Sequence, residues 1–174
     1  MRSFGRLAFL ARLASLAWLP AACAPQSPPP PPGAQAAAGA VSGARISLER
    51  GPCFGTCPVY RVTLDRSGSV RFEGRRFVAD TGLHTRSVPG ARVDSLVAAL
   101  EAAGYFGFAD RYGVGQPGCE PYATDLPTVT TEVHAGARDK RVEHDHGCAG
   151  APDALGALER RIDEVAEVER WIRR

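Results

Sequence analysis

Alternation of apolar and polar side chains starts at Arg45 and continues, with interruptions, to the end of the chain. Arg45–Arg50 is a short strand candidate. In Val59–Leu64, Tyr60, Val62 and Leu64 fall on one face and Val59, Arg61 and Thr63 on the other, the period of a half-buried strand. Asp65-Arg66-Ser67-Gly68 has turn chemistry, and Gly68 tolerates positive φ. Val70 and Phe72 then resume the alternation against Ser69, Arg71 and Glu73, which predicts a hairpin. Leu83–Val88 is a further strand candidate.

The period then changes. Val93, Leu96, Val97 and Leu100 recur at helical spacing, with Pro89 near the start and Gly104 as a C-cap. Tyr105, Phe106 and Phe108 read as core plugs. Residues 110–127 form a loop rich in Gly, Pro and polar groups. Thr128–Ala135 alternates again, a turn at Gly136–Asp139 leads to Arg141–His146, and a second hairpin is expected there. Leu155, Leu158, Ile162 and Val165 form the stripe of a closing helix that Trp171 and Ile172 pin. Because hairpins dominate, the expected fold is α+β: an antiparallel sheet of about five or six strands with two helices on one face.

Residues before 45 do not follow these patterns. Residues 1–22 have Arg2 and Arg6 at the front, a short apolar run Leu13–Leu19 and small residues before Cys23, as in an exported lipoprotein precursor. Cys23 is the expected lipidation site, although Pro20 stands where a lipobox prefers a branched aliphatic residue. Residues 23–44 then combine five consecutive prolines, Pro28–Pro32, with Ala and Gly and carry no charge. Such a segment cannot bury enough apolar surface to fold and suits a tether. Residues 45–174 are left as one globular domain. The expected location is therefore the envelope, facing the periplasm or the cell surface, with the lipid anchor as the only membrane attachment.

Charge narrows the partners. Arg2, Arg6 and Arg12 fall in the leader, so 18 of the 21 basic residues oppose 19 acidic ones in the remainder. That balance lacks the basic footprint of a nucleic-acid binder. An envelope protein or a small ligand is the expected partner, and the sequence implies no cofactor.

Several motifs carry possible chemistry. With Cys23 set aside, Cys53, Cys57, Cys119 and Cys148 remain. An oxidising compartment makes them disulfides, and four cysteines allow three pairings. The alternative is a thiol redox or copper site at Cys53 and Cys57, since Cys-x-x-x-Cys-Pro resembles the thiolate loop of copper-assembly proteins. Those proteins have a thioredoxin-like fold, whereas hairpins dominate here. His144 and His146, two apart on one strand, have a zinc-ligand spacing but need a third ligand. His134 on the neighbouring strand has the wrong parity to supply it. Gly113–Gly118 matches G-x-G-x-x-G without the flanking strand and helix, so it is no phosphate loop. Arg61, Tyr122 and Asp125 are the candidates for a ligand pocket, because binding groups favour long loops on rigid sheets. The leading reading is an envelope lipoprotein with a disulfide-stabilised domain in a binding or structural role, the thiol site is the alternative, and a hydrolytic enzyme is the third reading, with no nucleophile–base constellation to support it.

The stretches "ISLERGPCFGTCPVYRVTLDRSGSVRFEG", "TDLPT", "KRVEHDHG" and "LGALERRIDEVAEVERWI" together resemble a bacterial family, domain of unknown function 6438, over roughly residues 46–172. Its members often follow lipoprotein signals, in line with the tether. The resemblance implies no catalytic residues, because the family has no established activity. It also implies that the first cysteine pair is separable from the second, hence Cys53 with Cys57 and Cys119 with Cys148.

Overall fold

A computed structural model describes residues 43–173. The elements in chain order are β1 (Arg45–Arg50), β2 (Val59–Asp65), β3 (Ser69–Arg76), β4 (Gly82–Ser87), α1 (Gly90–Ala102), β5 (Arg111–Tyr112), β6 (Thr128–Ala135), β7 (Arg138–Asp145), α2 (Asp153–Ala166) and α3 (Glu169–Ile172). The strands form one sheet in the order β4-β3-β2-β1-β6-β7-β5.

The α+β class holds, and two details of the expectation are corrected. The sheet has seven strands and is mixed, not an antiparallel sheet of five or six. The extra strand is β5, two residues inside the Gly/Pro-rich loop, which lies parallel to β7. Two residues are too few to show a period, so β5 owes its existence to the unpaired edge of β7 and not to its own sequence. Among the described residues the α-helices number three, not two. Glu167 takes a left-handed conformation (φ 54°) that ends α2, and α3 starts two residues later.

Register places the core. Ile46 lies opposite Leu64 and Val133, Val62 opposite Phe72, and Thr131 opposite Val142. Side chains alternate across a pleated sheet, so these residues share one face. Thr131 is buried among them, and the apolar ones join Val93, Leu96 and Leu100 of α1 and Leu155, Ile162 and Val165 of α2 in a single buried core. Phe72 anchors one end, with its ring stacked 4.8 Å from Trp171 and tilted against Tyr60 at 5.2 Å. The opposite face carries no helix residues in that core and is lined by Ser47, Arg61, Thr63, Arg71, Glu132 and Arg141.

Gly68 closes the β2–β3 hairpin at φ 90°, and a Cβ there would meet the Val88 carbonyl at 1.9 Å. The domain begins before β1: Ala44 is buried, and its carbonyl accepts the Arg66 N–H at 2.9 Å. None of the described helices is long and apolar enough to cross a membrane.

Candidate functional site

Two places in the domain concentrate polar groups, one on each side of the sheet. The first lies under α2. Glu159 and Asp163 are one turn apart and fall on the helix's apolar stripe, between Leu155, Ile162 and Val165, so both face the sheet. Glu159 is 1 % exposed. An ionised carboxylate only accepts, so the two imidazoles donate to it: His144 Nδ1 to Oε1 at 2.7 Å and His146 Nε2 to Oε2 at 2.8 Å. Burial opposes ionisation of Glu159, but the hydrogen bonds and charge of His144 and His146 outweigh it and hold the carboxyl below its ordinary range.

Asp163 takes a second pair from the sheet. Arg50 donates from Nε and Nη2 to Oδ2 at 2.9 and 2.6 Å, and the Tyr60 hydroxyl donates to Oδ1 at 2.9 Å. Here burial wins: aided by the Glu159 charge, it raises the Asp163 carboxyl above its ordinary range against the pull of Arg50 and Tyr60. Burial and the neighbouring Asp163 also push the Tyr60 hydroxyl upward. A helix that would otherwise be free to slide on an apolar sheet is thus held in register by two bidentate polar contacts. Losing one partner would leave a buried charge unpaired.

The second place is the open face. A depression of about 610 Å³ is lined by Arg45, Ser47, Arg61, Thr63, Arg71, Glu132, Val133, His134, Asp139, Lys140 and Arg141. Five cationic side chains there face two carboxylates. Arg61 is committed to Glu132 (2.8 Å), Glu49 (3.3 Å) and Ser47 (3.3 Å). Arg141 lies 3.5 Å from Glu132, and the Lys140 ammonium bonds Asp110. Arg45 and Arg71 are exposed and make no ion pair among the described residues. The local excess of positive charge comes from these two guanidiniums.

The four cysteines pair as the family resemblance implies: Cys53 with Cys57 and Cys119 with Cys148. Copper binding at Cys53 and Cys57 would need these sulfurs reduced to thiolates. Cys119 and Cys148 are buried, whereas Cys53 and Cys57 are partly exposed around Phe54, which is 88 % exposed. The Cys119–Cys148 bridge ties the long loop to the exit of β7. The loop is fastened further by the Ala123 N–H to Gly147 O at 3.0 Å and the His146 N–H to Pro127 O at 3.1 Å. Gly147 allows this approach, since a Cβ there would meet Ala123 O at 2.0 Å.

The expected pocket residues do not converge. Arg61 lines the open-face depression on β2. Tyr122 donates its hydroxyl to Asp145 on β7, three strands away, and bridges to Cys148. Asp125, left-handed at φ 71°, gives its carbonyl to the Phe54 N–H at 3.1 Å. Neither Tyr122 nor Asp125 lines that depression. His144 and His146 do come together, with ring centroids 4.5 Å apart, while His134 lies on the other face and pairs with Asp139. Cys23 lies outside the described residues. Glu159, Asp163 and Arg50 were missed from the sequence. The available signal was a pair of carboxylates spaced four apart inside an apolar helical stripe.

These features define a small α+β domain with a polar-anchored helix layer, two disulfide staples and an exposed arginine-bearing sheet face. A family model described as Domain of unknown function (DUF6438) matches residues 44–166, most of the chain, and the protein belongs to that family. No curated protein matches it.

Proposed function

We propose that this protein is an exported, lipid-anchored binding domain whose open sheet face receives an anionic ligand bearing carboxylate or phosphate groups. The observation that carries the reading is the pair of exposed guanidiniums, Arg45 and Arg71, which have no carboxylate partner among the described residues, beside the bound Arg61. Guanidinium forks match carboxylate and phosphate oxygens bidentately, which is why arginine and not lysine suits this chemistry. Thr63 adds a hydroxyl in the same depression, whereas the Ser47 hydroxyl already donates to Glu132. The sheet beneath is fixed by its core, so the strand positions that carry these charges are set before a ligand arrives.

The anchor and tether belong to the same proposal. Cys23 would carry the lipid, and the Pro/Ala/Gly segment would hold the domain clear of the bilayer. Cys23→Ala should release the protein from the membrane fraction or leave its leader uncleaved. The binding claim is tested by calorimetric titration of the full chain with citrate. Wild type should bind measurably at low ionic strength, more weakly at high salt, and the Arg45→Ala/Arg71→Ala double variant should lose most of the signal. Equal binding by the double variant rules the face out.

A further inference from the structure

We propose that His144, His146 and Glu159 form a site for one divalent metal ion of the zinc class. It is separate from the anion-binding face, because the three side chains lie between the sheet and α2. Two imidazole nitrogens and a carboxylate oxygen all lie within 4.8 Å of one another. The missing third ligand of the His-x-His strand motif is thus supplied by the helix above it. Two histidines and one carboxylate are a recurrent ligand set for zinc, with a fourth position left to water.

Access and geometry both fit. The side chains of Glu159 and His144 are 1 % and 10 % exposed, whereas His146 is 32 % exposed, so solvent reaches the cluster from the His146 side. The present N···O separations of 2.7 and 2.8 Å are hydrogen-bond lengths. Around zinc, with bonds of about 2.0–2.1 Å, neighbouring donors sit about 3.3 Å apart. A shift of roughly half an ångström by each ring lengthens these two contacts to that value, and the same movement has to bring the widest donor pair, 4.8 Å apart at most, in toward it. His146 lies one residue past β7 and can make it readily. On binding, the metal takes the lone pairs of His144 Nδ1 and His146 Nε2. The protons those two nitrogens donated to Glu159 pass to solvent, each ring is left neutral with its proton on the opposite nitrogen, and the carboxylate exchanges two N–H donors for the cation. The four cysteines among the described residues are bonded in pairs, so none of them offers a competing thiolate.

The test uses the full chain without an affinity tag, stripped with chelator and titrated with zinc sulfate against a chromogenic competitor. One zinc per chain is expected. Removing one of three ligands should weaken binding about 100-fold or more, at or above the upper end of the loss from outer-shell substitutions. His146→Ala and Glu159→Gln should both show this, and His84→Ala, on a different part of the sheet, should not. Because Glu159→Gln alters a buried group and could unfold the domain, wild-type imidazole proton resonances provide a second readout. Zinc should shift those of His144 and His146 and spare those of His84. Absence of stoichiometric zinc uptake overturns the site. So does uptake unaltered in His146→Ala, or shifts confined to the other histidines.

Discussion

Loop length and burial give the two disulfides different weights. Cys119–Cys148 closes a segment with a sequence separation of 29, and Cys53–Cys57 one with a separation of 4. On the chain-entropy account, closing loops of about 30 and 5 residues removes about 3.6 and 2 kcal/mol of denatured-state freedom. Cys119 and Cys148 are also 0 % and 4 % exposed, so truncating them opens a small void, whereas Cys53 and Cys57 sit at a partly exposed tip. At roughly 3–5 °C per kcal/mol for a domain of this size, Cys119→Ala/Cys148→Ala should lower Tm by about 11–18 °C. Cys53→Ala/Cys57→Ala should lower it by about 6–10 °C. The assay is thermal and urea unfolding of protein recovered from an oxidising compartment, after non-reducing peptide mapping has verified the bridges. Equal losses, or a larger loss for the small ring, would refute the reasoning, because neither loop entropy nor burial could then set the order.

Tyr60→Phe removes one of the Asp163 hydrogen bonds and should cost about 1–2 kcal/mol in urea unfolding while leaving the far-ultraviolet circular dichroism unchanged. Glu167 is held below the ordinary carboxylate range, first by its hydrogen bond from Arg92 and also by Arg86. A depressed folded value contributes stability above the unfolded value of about 4.3 and loses it as pH falls through the folded one. Glu167→Gln should therefore flatten the acid limb of a Tm-versus-pH curve, and an unchanged limb would contradict the pairing. Deleting residues 24–42 should leave Tm within about 2 °C of wild type, whereas extending the deletion through Ala44 should lower it, because Ala44 is buried and bonded to Arg66.

What could be read from the sequence followed from regular periods. Alternation in Val59–Leu64 and Thr128–Ala135 located β2 and β6, and the Leu155–Val165 stripe located α2. β5 carried no such signal, because it pairs by occupying an open edge. The same stripe that marked α2 hid its polar function. Glu159 and Asp163 stood in an apolar row, and what they meet is contributed by β1, β2 and β7, more than 100 residues away for Arg50 and Tyr60 but only 13 to 15 for the histidines. No local pattern specifies which sheet residue a helix side chain will face; that depends on strand order. The candidate pocket residues show the same dependence: Arg61 is on β2 and Tyr122 bonds Asp145 on β7, and the order β2-β1-β6-β7 puts three strand steps between them.

The claim that the open face is an anion-binding surface is tested most directly by mapping where an anion sits. Backbone amide resonances of isotopically labelled protein should be followed during titration with inorganic pyrophosphate at low ionic strength. The expected result is a saturable shift of amides around Arg45, Arg61 and Arg71 on β1, β2 and β3, absent in the Arg45→Ala/Arg71→Ala variant. Saturable shifts centred elsewhere on the domain, or no saturable shift at all, would contradict it.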